Sequence, residues 1–576
     1  SAIDPMSSVE ASPPLTSAKP LPPLTSVSAE AVLQAARVVD FVSSLSIEEY
    51  EADATYRTLR QAIGRLVQRE QGRTSDKQEV QKASRAKKQD RNRAKQQAAA
   101  AARALADRTA LRAGRIDRLK ALTDANGEAL DDDDAARLHD LMICDGPVEA
   151  PEAVKLLCDG AADADGAADS EAEAAAAATA ARVSCYGCRL RFSAASNLHA
   201  FYGAAFCPEC AALNWRKRHA TCDLTGRVAL VTGGRVKIGH CVALKLLRGG
   251  ATVVVTSRFP TDTLRRFEAA ADFNDFRERL RLVGCDFRDL RAVEALSAFV
   301  EAAFCRLDIL VNNACQTIRR PAVHFQHLEV QEQTFLDEVY RKQAPLLTGA
   351  AAPAEDVSQE EGPLSMHASF HGALAAADGA PRRVRVDFDE SPEDAEQLRR
   401  FQFCSDASGQ QLDARSSNSW TMKLADVPLA EAAEVFAINA LAPLSLCAKL
   451  KRALAVGGGP SFIINVSAME GKFTRLKTVN HPHTNMAKAA LNMMTRTSAA
   501  DYARSNIFMN AVDTGWVNDE RPLHEAHRVA QEQHFQTPID EWDAAARIVD
   551  PIFAALNGEH EPKHGEFLKD YTPTEW

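Results

Sequence analysis

The sequence predicts an α/β fold, a doubly wound parallel sheet, with a small four-cysteine module beside it and a mainly helical region before it. Three observations predict this. Residues 228–239 read VALVTGGRVKIG: a β-branched apolar run, a glycine turn, then an apolar-periodic segment through Ile238, Val242, Leu244, Leu246 and Leu247. From about residue 222 to the end, strand-like and helix-like patterns alternate. Cys185 and Cys188 form one CxxC pair, and Cys207 and Cys210 form another, with 18 residues between the pairs.

Bulk properties narrow the function classes. The 576 residues suffice for several domains, and 46% hydrophobic content suffices for a core. A net charge of −10 gives no global reason to expect nucleic-acid binding. No uninterrupted apolar run reaches the roughly 18–20 residues of a membrane-crossing helix, so no membrane partner is expected. Thirteen cysteines, several alone within apolar stretches, suit a reducing, cytoplasmic compartment better than a disulfide scaffold. The atypical N-terminus leaves an organellar presequence open.

Along the chain, residues 1–28 are Pro/Ser/Thr-rich and expected to be disordered. Residues 29–125 show helical spacing (Val32, Ala36, Val39, Val42), then a Lys/Arg-dense stretch at 69–120. That stretch reads as a solvated helix or as a basic arm for RNA or an acidic partner; no aromatic is interleaved to stack on bases. Residues 126–183 are acidic, Ala-rich and linker-like. The cysteine module spans 184–216. Its four thiolates have the spacing of a closed tetrahedral Zn²⁺ site, structural rather than catalytic because no coordination position stays open. Only a short segment separates it from the first strand, so it should dock on the α/β domain, 222–576.

The glycine turn (Thr232, Gly233, Gly239) aims backbone N–H groups and a helix dipole at a phosphate. The second strand ends in Ser257-Arg258 with no carboxylate at its tip. A carboxylate there would hold a free ribose 2′-OH, whereas Arg258 suits a 2′-phosphate, so NADP(H) is expected over NAD(H). Asp286, after the third strand, is expected to accept from the adenine amino group. The fourth strand ends in Asn312-Asn313-Ala314, where Asn312 is expected to contact the cofactor and the small Ala314 leaves room for it.

Residues 224–576 resemble the short-chain dehydrogenase/reductase family. Besides the motifs above, its helix asparagine matches Asn439 in FAINALAP, and its fifth strand and turn match 462–467 and Gly471. Its lysine matches Lys488 in NMAKAALNMMTR, and its strand-six turn matches 510–515, ending in Thr514-Gly515. The resemblance implies a Rossmann fold with the cofactor at the C-terminal sheet edge, and Lys488 on the nicotinamide ribose. An insertion at about 319–425 follows the fourth strand and is expected beside the cleft, as a lid or partner surface. Lys237 stands where the family has a glycine. Pteridine reductases of the same family carry a basic residue there, which implies that Lys237, with Arg258 and Arg235, neutralises the 2′-phosphate; Ile238 completes the turn.

Departures fall on the chemistry. The family's tyrosine, four residues before its lysine, is Thr484, and its serine is Ala468, with Ser467 adjacent on the other strand face. A threonine hydroxyl is far less acidic than a phenol. Enoyl-acyl carrier protein reductases use a wider spacing, which falls on His481, seven residues before Lys488; His481 or His483 could donate a proton instead. Three readings follow: an oxidoreductase with a non-standard proton donor acting on an unidentified small molecule; a catalytically silent NADP(H) binder acting as scaffold or redox sensor for a protein partner; or a nucleic-acid-associated protein using the basic helix. Homo-oligomerisation fits the first two.

Overall fold

The computed structural model describes residues 28–44, 109, 111, 182–193, 199–335, 363–364, 366, 410–411, 413, 415–474, 476–522, 524–526, 528–529 and 537–576. The basic stretch at 69–120 (apart from 109 and 111), the acidic linker and most of the insertion lie outside them. The chain divides into two units, Ser1–Gln96 and Gln97–Trp576. In the first, Ala29–Ser44 forms helix α1, with Glu30 in the first turn and Val32, Leu33, Val39 and Phe41 exposed.

The second unit is built on strands β3 (Val228–Thr232), β4 (Thr252–Ser257), β5 (Leu280–Gly284), β6 (Ile309–Asn312), β7 (Ser461–Ser467), β8 (Ile507–Asp513), β9 (Phe567–Lys569) and β10 (Thr572–Thr574). Strands β1 (Arg182–Ser184) and β2 (Arg191–Ser193) form a separate hairpin. The main sheet runs β10-β9-β8-β7-β6-β3-β4-β5, parallel except for β10 against β9. Chain order reverses between β6 and β3, the switch point at which open α/β sheets bind ligands.

Both sheet faces are covered, and the two-residue strand period sorts the core. Ala229, Val231, Val253, Val255, Ile309, Val311, Phe462 and Ile464 face one cluster, against α3 (Lys237–Arg248) and α9 (Glu541–Leu556). Leu230, Val254, Leu310 and Ile463 face the other, against α5 (Leu290–Phe304), α7 (Ala442–Ala455) and α8 (Pro482–Ala503). Each fully buried Leu or Val contributes about 1.5–3 kcal/mol. The helical run Leu429–Ala455, comprising α6 (Leu429–Phe436), a π-helical turn (Ala437–Leu441) and α7, is long and apolar enough by length and composition to cross a bilayer. Half of its apolar window is buried, and Leu446, Leu450 and Leu454 belong to the core.

The insertion begins with a tight turn, Ala322–Phe325, that buries His324 to 1% exposure with Nδ1 unpartnered. Burial, then the Arg320 charge, pushes this imidazole from 6.5 down to about 3. The unfolded chain takes up the proton near 6.5 and the folded chain does not. Stability is therefore full above that pH and falls below it by about 1.4 kcal/mol per pH unit. Urea denaturation between pH 7.5 and 5 is expected to lose this slope in His324→Leu; equal slopes in the two proteins would refute it.

Candidate functional site

The C-terminal sheet edge opens into a cleft of about 940 Å³. After β3 the chain turns through Gly233, whose φ of +68° lies in the left-handed region that favours glycine. Lys237, the first residue of α3, has φ +54°, and the N-terminal residues of α3 border the cleft. The turn is compressed: a Cβ on Gly239 would lie 2.3 Å from the Gly233 carbonyl oxygen and 2.4 Å from Asn313 Nδ2. Thr232 Oγ1 accepts from the Asn313 and Ala314 N–H groups at 2.9 Å each and donates to the Val311 carbonyl. Asn313 Nδ2 donates to the carbonyls of Thr232 and Gly233 at 3.0 and 3.1 Å.

Asn312, read from sequence as a cofactor contact, is instead a sheet residue, since its Nδ2 donates to the buried Asn465 Oδ1 at 2.8 Å. Its neighbour Asn313 braces the turn. The register pairing of Asn312 with Asn465 across β6 and β7 decides which of the two faces inward. Thr232 likewise is buried and acts through the turn rather than on the cleft.

The end of the cleft beyond β4 gathers cations. Arg258 lies 4.3 Å from the centroid of the Phe325 ring and 5.2 Å from that of Phe259. Ser257 Oγ accepts from the Phe259 N–H at 3.0 Å. Arg235 also lines the cleft, while its Nη1 pairs with buried Asp262 at 2.8 Å and its Nη2 donates to Gln410 Oε1 at 3.3 Å. Burial alone would raise the Asp262 carboxyl, yet Arg266 and Arg235 hold it well below the usual carboxylate range. Asp286 is not a bare acceptor, because the Arg288 guanidinium meets it at 2.6 Å and the Arg288 N–H at 3.0 Å. Lys237, Ile238, Gly239, Ser257, Arg258, Asp286 and Ala314 all line the cleft.

At the other end, β7 feeds into Ala468 and α8 supplies the side chains. Lys488 is buried and its Nζ donates to the Val466 carbonyl at 2.8 Å. Ser467 Oγ donates to Asn492 Oδ1 at 2.5 Å. Thr484 lines the cleft with its buried Oγ1 unpartnered. His481 precedes Pro482 in a left-handed conformation (φ +42°), donates its N–H to the Met422 carbonyl at 2.7 Å, and stacks on Trp420 at 3.8 Å. Its Nδ1 has no partner, and burial holds its pKa below 6.5. His483, the other candidate, turns away toward Glu431, 3.5 Å from Nε2, and does not line the cleft. Asn439 is no cleft residue either; from the π-helical turn it accepts from the Gln316 N–H at 2.8 Å and donates to the Gln316 carbonyl at 3.1 Å, positioning the segment after β6.

The β8 turn closes the cleft. Asp513 Oδ1 accepts from the Gly515 N–H and Oδ2 from the Met469 N–H, both at 2.7 Å, tying the ends of β7 and β8 together. Gly515 has φ +83°, and Thr514 and Gly515 both line the cleft. Sequence reading missed Trp420 and Tyr186 as cleft residues; neither has a local signal, since long-range packing brings each to the site.

Cys185, Cys188, Cys207 and Cys210 place their sulfurs within 4.8 Å of one another, close enough to hold one metal ion. Cys188 and Cys207 are 3.7 Å apart, against a tetrahedral Zn–S₄ edge of about 3.8 Å implied by Zn–S bonds of about 2.3 Å. The Cys207 N–H points at Cys185 Sγ (3.3 Å), and a Cβ on Gly187 would press on Cys210 Sγ at 3.4 Å. Cys207 caps helix α2 (Pro208–Arg218), which docks on α9 through buried charge. Arg218 makes two bonds to Asp540 (2.5 and 2.9 Å) and lies 3.2 Å from Asp543; Tyr202 donates to Asp543 at 2.5 Å, and Arg547 donates to Asn214 at 2.7 Å.

The parallel sheet, glycine turn and buried lysine define a Rossmann-type oxidoreductase domain. Residues 227–341 match the short chain dehydrogenase family and residues 413–554 the enoyl-(acyl carrier protein) reductase family; the chain belongs to the short-chain dehydrogenase/reductase family. It is 30% identical over 384 residues to an uncharacterized protein of Acanthamoeba polyphaga mimivirus, covering 64% of this chain and 71% of the viral one. It is 34% identical over 102 residues to a fatty acyl-CoA reductase of Acinetobacter baylyi, covering 18% of this chain but only 33% of the relative. Among solved structures, a short chain dehydrogenase from Burkholderia cenocepacia in complex with NADP superposes with TM-score 0.36 at 19% identity, covering 60% of this chain and 96% of the other.

Proposed function

We propose that this chain is an NADP(H)-dependent oxidoreductase whose proton is handled by a histidine in place of the family's phenol, and that its four cysteines hold a structural zinc. One observation carries the reading: Lys488, Thr484 and His481 border the same cleft as the glycine turn and Arg258. The 2′-phosphate partners are Arg258 and Lys237, since Arg235 is engaged with Asp262. Bound there, the nicotinamide supplies a hydride. Lys488, fixed by the Val466 carbonyl, is placed to hold the ribose, and Thr484 to hydrogen-bond a substrate oxygen. His481 gains or releases the proton at Nδ1.

Because burial keeps His481 below 6.5, its ring is neutral near pH 7 and ready to accept a proton. Carbonyl reduction, which needs the protonated ring, is expected to slow as pH rises through that lowered pKa; alcohol oxidation is expected to speed up. NADPH oxidation against a panel of carbonyl and enoyl substrates tests this. His481→Ala is expected to lose about 10²-fold in kcat with unchanged cofactor affinity. Full activity in that variant would refute the assignment.

A second reading rests on Ala468 and Thr484, which leave the family's usual proton donors missing. Under it the cofactor is bound but not turned over, and stabilises the fold by mass action. Tight NADPH binding with no turnover of any substrate would favour it.

A further inference from the structure

The cysteine knuckle reaches into the cleft. Tyr186, between Cys185 and Gly187, accepts a hydrogen bond from the Trp516 N–H at 2.8 Å, and its oxygen lies 3.4 Å from where a Cβ on Gly515 would sit. Lys569 Nζ is 5.4 Å from the same ring. Arg189, held at φ +65° by the knuckle, lies 5.4 Å from the Tyr186 ring and has no carboxylate partner among the described residues. Both side chains line the cleft that the glycine turn borders. The module's own apolar core, around Cys185, Phe201 and Phe206, takes in Val517 and Ile539 from the β8 side and Ile238 from the first turn of α3. One small core therefore packs against both walls of the phosphate end.

Resting on the dinucleotide reading above, we propose that the knuckle completes the cofactor site and that metal and dinucleotide bind cooperatively. Arg189 pairs with the pyrophosphate, and Tyr186 fixes the β8 turn over it. The metal is what holds residues 185–189 in the shape that presents both side chains. Coupling of this kind is reciprocal, so each ligand strengthens the other by the same factor.

The test uses the full chain. NADPH affinity is measured by nucleotide fluorescence on zinc-loaded protein and after chelation, and zinc affinity with and without saturating NADPH by a competing chromogenic chelator. Removing zinc is expected to weaken NADPH about 10-fold, and NADPH to tighten zinc by the same factor. Should chelation unfold the chain by circular dichroism, zinc-loaded Arg189→Ala carries the test, with about 10-fold weaker NADPH and unchanged zinc content. Unaltered NADPH affinity in Arg189→Ala and in zinc-loaded Tyr186→Phe overturns the proposal. Failure of the zinc-loaded wild-type chain to bind either pyridine nucleotide overturns the dinucleotide reading beneath it instead.

Discussion

Gly239→Ala is expected to weaken NADPH binding at least tenfold and to destabilise the domain by about 1–3 kcal/mol, the usual cost of overpacking a close-packed site. The added methyl meets a backbone carbonyl, that of Gly233, at 2.3 Å, so no rotamer change relieves it. Either the α3 N-terminus moves away from β3 or the Gly233 peptide rotates. Both displace the N–H groups that would meet a phosphate, and both break the bridge from Asn313 Nδ2 to the turn. Calorimetric titration with parallel thermal denaturation checks it. Wild-type affinity in Gly239→Ala would show that the turn does not hold the nucleotide.

The second large effect lies 333 residues beyond Cys210 in sequence but beside the cysteines in space. Asp543 is fully buried at the start of α9, accepts a hydrogen bond from the Tyr202 hydroxyl and lies 3.2 Å from Arg218. Burial, then the Asp540 charge, raises its carboxyl to about 6, and the Arg218 guanidinium opposes that rise. Asp543→Ala leaves Arg218 short of a counter-charge and Tyr202 without its acceptor. Arg218 keeps its two bonds to Asp540, so the loss is chiefly that of a buried hydrogen-bond acceptor, about 1–3 kcal/mol. Asp543→Asn keeps an acceptor for Tyr202 and is expected to cost less. Urea denaturation of both variants, with zinc retention measured on the same samples, checks the order; equal stabilities in Ala and Asn would refute a contribution from the Tyr202 hydrogen bond, and wild-type stability in Asn would refute the charge argument.

These two positions mark what the sequence makes legible. The strand-turn-helix around Gly233 is local: β-branched residues and three glycines fall within 12 residues, with the apolar period directly after them, and the fold class follows from such units in series. The four cysteines are equally plain, because metal spacing is a short-range pattern. What escapes is set by partners far along the chain. Arg235 reads as a phosphate ligand until Asp262 claims it, and Asp286 as an open acceptor until Arg288 folds back on it. The choice between His481 and His483 turns on Trp420 and Glu431, which lie on other segments. Asn312 and Asn313 differ only by which side of β6 they face, a matter of register that one strand does not declare. Tyr186 is invisible as a cleft residue because docking of the module, through Arg218 and Asp543, is what brings it there.

The proposed cofactor preference depends on an extra phosphate being recognised beyond β3 and β4, by Arg258 and Lys237. Isothermal titration of the full, zinc-loaded chain with NADPH and with NADH tests this most directly. Heat of binding with NADPH at an affinity at least tenfold above that for NADH, with the difference lost in Arg258→Ala, is the predicted result. Equal affinities for the two nucleotides, or no heat with either, would contradict it.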